Sequence, residues 1–259
     1  RPAYGGTPSD ASVRRALADM KARGLATVFY PFVMMDIPAD AGLPDPSGEG
    51  EQGAYPWRGR IAPAGEAAAD VASFFGSAAP GGSEWSYRRM VLHYAQLCAD
   101  AGGVGAFIIG SELRGLTQAR DGAGSYPAVT ALKELAADVR AILGPHTKIS
   151  YAADWSEYRG HDRGAGRFAF HLDPLWADAN IDFIGIDMYA PLTDWRDGDA
   201  HLDAQEWGSI YDLDYLRSRI AGGEDYDWYY ASEEDRALQI RSPITDGAYG
   251  KPWLWRAKD

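Results

Sequence analysis

Val104-Gly105-Ala106-Phe107-Ile108-Ile109-Gly110-Ser111-Glu112 is the stretch on which the fold turns. Its centre is apolar at consecutive positions, so both faces of an extended chain would be buried, as in a parallel sheet covered on both sides. It ends at a carboxylate. Three other segments follow the same plan: Ala26 to Met35 ending at Asp36, Lys148 to Ala153 ending at Asp154-Trp155, and Ile181 to Ile186 ending at Asp187-Met188-Tyr189. Helical spacing of apolar residues, with caps and stops, marks helices over 9–23, 66–76, from the Ser83 cap through Tyr87 to Cys98, over 127–143, 172–177 and 212–221. Helices alternating with strands call for a parallel sheet with right-handed crossovers.

Two architectures satisfy that order. An open doubly wound sheet would need a glycine-rich turn after a strand. Gly102-Gly103-Val104-Gly105 precedes one, so it offers no helix N-terminus to a phosphate. A TIM-type (β/α)8 barrel is the better reading, and 259 residues suit the roughly 250 of such a domain. Four strand signals are half the complement of a closed barrel. The barrel is therefore expected to be incomplete in this chain, with terminal strands outside it and a possible further strand or edge at Pro252 to Trp255. The chain opens at Arg1 and stops at Asp259, and residues 1–259 are read as one domain excerpted from a larger protein.

Composition narrows the function. Apolar residues make up 46% and charged residues 24%, enough to bury a core. A net charge of -12 argues against a nucleic-acid partner, which calls for stripes of Lys and Arg. No apolar run reaches the ~18 residues of a membrane span, and no signal peptide is visible. The single cysteine, Cys98, falls on an apolar helix face and reads as packing. None of the five histidines lies in a strand signal and no pair has ligand spacing, which disfavours a metal-dependent hydrolase; no metal or cofactor is expected. The acidic stretch Asp194 to Asp203 does not match an EF-hand and reads as a solvated face.

In a parallel barrel all strand C-termini open on one face, where active sites lie. Asp36, Glu112, Asp154 and Asp187 would meet there, and their repulsion would favour keeping a proton on one of them. For Asp36 and Asp154 a second reading stands beside this one: each caps the helix after its strand. Glu112 follows Ser111, a better cap than Glu, so capping explains it less well. Trp155, Tyr158, Tyr189 and Trp195 follow strand ends, and Trp57 sits in a long Pro/Gly-rich loop over 38–65. Flat aromatic faces suit the C–H faces of pyranose rings and carboxylates bind hydroxyls, although large aromatics are also often merely half-buried.

Two of these segments resemble clan A glycoside hydrolases. Ile181-Asp182-Phe183-Ile184-Gly185-Ile186-Asp187-Met188-Tyr189 resembles their sixth strand, and Gly105 through Leu113 resembles their fourth, whose terminal Glu is the acid/base. More specifically, nearly the whole chain resembles the TIM-barrel-like domain of the tail-tip protein of bacterial gene transfer agents, which are phage-like particles. Tyr30-Pro31-Phe32-Val33-Met34-Met35-Asp36, Tyr55-Pro56-Trp57-Arg58-Gly59-Arg60-Ile61, the Glu112 segment, Tyr151 through Tyr158, and Lys251-Pro252-Trp253 carry that resemblance.

The resemblance implies a retaining glycoside hydrolase in a phage-like tail or baseplate, acting at the bacterial cell envelope on polysaccharide or peptidoglycan, with other tail proteins as partners. It implies Glu112 as the catalytic acid/base and Tyr189 as the residue that hydrogen-bonds the nucleophile, a Glu expected beyond Asp259. Asp36, Trp57, Ser111, Asp154, Trp155, Asp187 and Trp195 are the expected substrate-binding residues. Clan A enzymes usually place Asn, which contacts the sugar 2-hydroxyl, directly before the acid/base; here that position is Ser111. The alternative is a non-catalytic structural or carbohydrate-binding module of the baseplate, since a fold does not fix an activity.

Overall fold

The computed structural model describes residues 7–38, 40–44, 50–51, 53, 56–77, 83–189, 193–220 and 228–243. Tyr55 and the expected strand or edge at Pro252 to Trp255 lie outside them. The chain forms two compact units, 1–187 and 188–259.

The first unit opens with α1 (Asp10–Ala22), whose first turn is closed by Ser9 accepting the Ser12 N–H, and whose Val13 and Leu17 are buried. β1 (Val28–Phe29) follows, then a 3-10 turn at Arg58–Arg60, α2 (Ala67–Phe75) and α3 (Tyr87–Asp100). Ser86, not Ser83, caps α3; its side chain accepts the Arg89 N–H. β2 (Ala106–Ser111), α4 (Arg114–Thr117), α5 (Pro127–Leu143), β3 (Lys148–Asp154) and α6 (Trp155–Tyr158) come next. A small antiparallel pair, β4 (His161–Asp162) and β5 (Phe168–Ala169), precedes α7 (Asp173–Trp176) and β6 (Gly185–Asp187).

β1, β2, β3 and β6 form one parallel sheet in that order. All six residues of β2 are buried, as expected of a strand covered on both faces. Phe107, Ile109, Ile149, Tyr151 and Ala153 join the core with Val91, Ala95 and Cys98 of α3 and Leu132, Leu135 and Val139 of α5. Cys98 is buried with its thiol pushed up to about 12 by desolvation, so it is packing.

The outer strands are shorter than their sequence suggests. The apolar run from Ala26 to Met35 pairs only at Val28 and Phe29, and the segment at 181–186 pairs only from Gly185. Among the described residues each has a single neighbouring strand, so the ladder lacks support on one side. Val28, Phe32 and Met34 at one edge, and Phe183, Ile184 and Ile186 at the other, remain exposed.

The second unit contains α8 (Leu202–Trp207), α9 (Leu213–Ile220), β7 (Trp228–Tyr229), α10 (Glu233–Leu238) and β8 (Ser242–Pro243), with β7 and β8 antiparallel. The acidic stretch Asp194 to Asp203 is not simply a solvated face. Asp203 is 1% exposed and accepts from Tyr215 at 2.6 Å and Arg241 at 2.7 Å. Asp194 accepts from Tyr230, Gln239 and Arg241, so Arg241 ties both carboxylates together. Burying two carboxylates is tolerable because a guanidinium and two phenols compensate them.

Candidate functional site

The site is built where β2 ends. Ile108 pairs with Ser150 but Ser111 pairs with Ala152, so β2 carries one extra residue against β3. Such a bulge re-aims the side chains beyond it. Gly110 permits it: a Cβ there would lie 2.5 Å from the Tyr87 Oη, whose hydroxyl donates to the Ile109 carbonyl at 3.0 Å. Immediately after the bulge Glu112 adopts φ +50°, a left-handed conformation unusual for a residue with a side chain. Its N–H still donates to the Ala152 carbonyl at 2.9 Å.

Glu112 is 7% exposed and is met by two donors from one short segment. The Trp57 indole N–H donates to its Oε2 at 2.7 Å, and Arg58 Nη2 lies 3.1 Å from the same oxygen. Arg58 also donates to the Ser111 carbonyl at 3.2 Å and, from Nη2, to the Ser111 Oγ at 3.1 Å, and its guanidinium lies over the Phe32 ring at 4.6 Å. The Ser111 hydroxyl donates to Asp187 Oδ2 at 2.9 Å, and the Tyr30 hydroxyl donates to that same oxygen at 2.6 Å. Burial, reinforced by the bond to Asp187, pushes the Tyr30 phenol well above its ordinary value and keeps it a donor.

Trp57 and Arg58 owe their place to a close backbone approach. A Cβ at Gly115 of α4 would fall 2.5 Å from the Ile61 carbonyl oxygen and 2.9 Å from that of Gly59. Only glycine lets the 59–61 segment lie directly on α4, and this seats the preceding Trp-Arg pair over Glu112.

The structure thus brings together Glu112, Ser111, Asp187 and Trp57 from the expected residues. Asp154 takes the other role open to it: it caps α6, its Oδ1 accepting the Ser156 N–H at 2.9 Å in a capping box completed by Glu157. Trp155, the first residue of α6, is 41% exposed and lies under the Arg159 guanidinium. Asp36 is exposed on the segment after β1. In the second unit, Tyr189 is 93% exposed, and Trp195 packs edge-on against the rings of His201 and Tyr215.

Tyr30 and Arg58 belong to the hydrogen-bonded chain but were not singled out from sequence as site residues. Both sit inside motifs quoted above, Tyr30 one residue beyond β1 and Arg58 beside Trp57. Among the described residues, no group of three or more His, Cys, Asp or Glu side chains is disposed to hold a metal ion, and no helix is long and apolar enough to cross a membrane. Chemically, the site is a chain of alternating acceptors and donors at one sheet end, suited to orienting hydroxyl groups.

Residues 85–259 match the family described as GTA TIM-barrel-like domain. No curated protein matches the sequence. Solved structures of similar fold include "Complex structure of GH113 beta-1,4-mannanase", at 19% identity and TM-score 0.42 over 84% of this chain and 50% of that one. Another is "The structure of GH113 beta-mannanase AaManA from Alicyclobacillus acidocaldarius in complex with ManMIm", at 20% identity and TM-score 0.43 over 84% of this chain and 51% of that one. The chain spans about half the length of these structures. It belongs to the GTA TIM-barrel-like domain family, and its fold class is α/β, a TIM-type barrel of which this chain carries part.

Proposed function

We propose that this member of the GTA TIM-barrel-like domain family is the glycoside-hydrolase-like part of a phage-like tail protein, which engages and cleaves a polysaccharide or peptidoglycan of the bacterial envelope. The observation that carries the reading is the setting of Glu112: a carboxylate on a left-handed backbone at a strand C-terminus, held by Trp57 and Arg58 beside a Ser111–Asp187 pair. Glu112 protonates the leaving oxygen. A second carboxylate attacks the anomeric carbon. Retention of configuration follows if the two carboxyl groups stand about 5–5.5 Å apart. Trp57 and Asp187 contribute to the sugar-binding surface, with Asp36 and Trp155 as outer contacts. In the complete protein, Glu112→Gln is expected to abolish release of reducing ends from purified peptidoglycan; undiminished release would remove Glu112 from the role.

One observation favours a second reading, a binding module without turnover. Glu112 Oε2 is engaged by a guanidinium and an indole N–H, both donors, whereas an acid must itself donate. A protein that retains envelope polysaccharide but releases no sugar, with Glu112→Gln binding unchanged, would establish this second reading.

A further inference from the structure

Behind the site lies a carboxyl group that the proposed reaction does not use. Glu157 of α6 has 0% exposure, and among the described residues no cation pairs with it. Its Oε1 accepts from the Tyr151 hydroxyl at 2.9 Å and the Thr117 hydroxyl at 2.5 Å; its Oε2 accepts the Asp154 N–H at 3.2 Å. Tyr151, on β3 and also at 0% exposure, uses its oxygen a second time: it accepts the Leu113 N–H at 2.7 Å.

Leu113 is the residue after Glu112. The bulge and the left-handed turn end the β2 ladder, so the Leu113 amide takes a side-chain oxygen as its acceptor, and a buried amide needs one. The backbone around Glu112 is thereby pinned at both ends, by Ala152 O before its Cα and by Tyr151 Oη after it. A disfavoured backbone conformation persists only when its surroundings over-determine it.

We propose that Tyr151 and Glu157 are positioning residues for Glu112: Glu157 orients the Tyr151 phenol, and the phenol holds the Leu113 amide that keeps Glu112 aimed at Trp57 and Arg58. Neither touches a substrate. The effect on turnover rests on the proposed acid role of Glu112; the effect on its placement does not.

The Trp57 indole N–H reports that placement without substrate, because it donates to Glu112. In 1H–15N spectra of the protein, its signal is assigned by its loss in Trp57→Phe, and Glu112→Ala gives its position without the acceptor. Tyr151→Phe is expected to move the signal toward the Glu112→Ala position. Glu157→Gln, still able to accept from Tyr151 and Thr117, is expected to leave it in place, and Glu157→Leu to move it. A purely structural role would lower the melting temperature in proportion to each lost bond and leave this one resonance alone. A Trp57 signal unmoved in folded Tyr151→Phe overturns the proposal; should that variant not fold, equal spectra for Glu157→Gln and Glu157→Leu overturn it instead. On envelope polysaccharide, Tyr151→Phe is expected to lower kcat by about 10–100-fold with KM little changed, as misplacement of a reacting group does. If the wild-type protein releases no sugar, the catalytic reading fails while the indole signal still decides this one.

Discussion

Ser111 donates to Asp187 at 2.9 Å across a strand: β2 and β6 are not neighbours, and β3 runs between them. The same hydroxyl oxygen accepts from Arg58, so one small side chain joins two strand ends and a loop. Ser111→Ala is expected to destabilise the protein by about 1–2 kcal/mol in urea unfolding, because a half-buried acceptor and a guanidinium both lose a partner. Ser111→Thr, which keeps the hydroxyl, is expected to recover most of that loss. Equal stability of all three proteins would mean that water replaces the bridge at no cost.

Arg58 and Glu112 are expected to be energetically coupled. Their side chains are 17% and 9% exposed, too buried for an idle surface pair. Arg58→Met leaves the nearly buried Glu112 carboxylate without its guanidinium, and a loss of about 3 kcal/mol is expected. In a double-mutant cycle with Glu112→Gln, the coupling is expected at roughly 1–3 kcal/mol. Additive single losses would show that the two groups do not interact in solution.

Gly115→Ala places a methyl group against two carbonyl oxygens of the 59–61 segment. Overpacking of this kind typically costs about 1–3 kcal/mol. Beyond stability, the segment carrying Trp57 and Arg58 must rise from α4, so loss of the Trp57–Glu112 hydrogen bond is expected in a crystal structure of the variant. An undisturbed bond would show that the loop is held elsewhere.

Glu157 should leave a signature in the pH dependence of stability. Burial raises its carboxyl from 4.5 to about 7, with Thr117, Tyr151 and the Asp154 amide opposing. Between those values the native state binds the proton more tightly than the unfolded chain. The stabilising term is therefore complete below about pH 4.5 and is lost as pH rises through about 7. It amounts to something on the order of 3 kcal/mol. Glu157→Gln should abolish this slope in urea melts from pH 4.5 to 8. Asp182 has the opposite sign but acts elsewhere: against a desolvation that raises it, the Ile149 amide, Arg140 and Lys148 hold it at about 2, so its stabilisation is lost only as pH falls below about 4. A parallel pH profile for wild type and Glu157→Gln would show that Glu157 is not buried as a titrating group.

Periodicity and turn chemistry made most of the first unit legible. The span 127–143 reads as a helix because Leu132, Leu135, Val139 and Ile142 share a face and Gly144-Pro145 ends it; α5 has those limits, with Pro127 in its first turn. β2 and β3 are legible because both their faces are apolar. The reading of β1 overreached, since an apolar run says nothing about whether a partner strand lies beside it. At the site, Glu112 and Asp187 are legible as carboxylates at strand ends and Trp57 as a large aromatic in a long loop. Tyr30 and Arg58 are not, because they matter as donors brought in by chain geometry. Glu157 sits in an ordinary-looking helix start; its one visible signal was the Asp154-x-x-Glu157 capping spacing, which says nothing of its burial.

The left-handed backbone at Glu112 has a consequence for anyone improving this protein by selection. Glu112→Gly or Glu112→Asn relaxes φ +50° at little steric penalty and also removes a carboxylate from a nearly dry setting. Against that relief stands the loss of the carboxylate that pairs with Arg58 and accepts from Trp57, so a library screened for heat resistance would enrich such a change only together with replacement of Arg58, and those survivors would have discarded the group the site is built around.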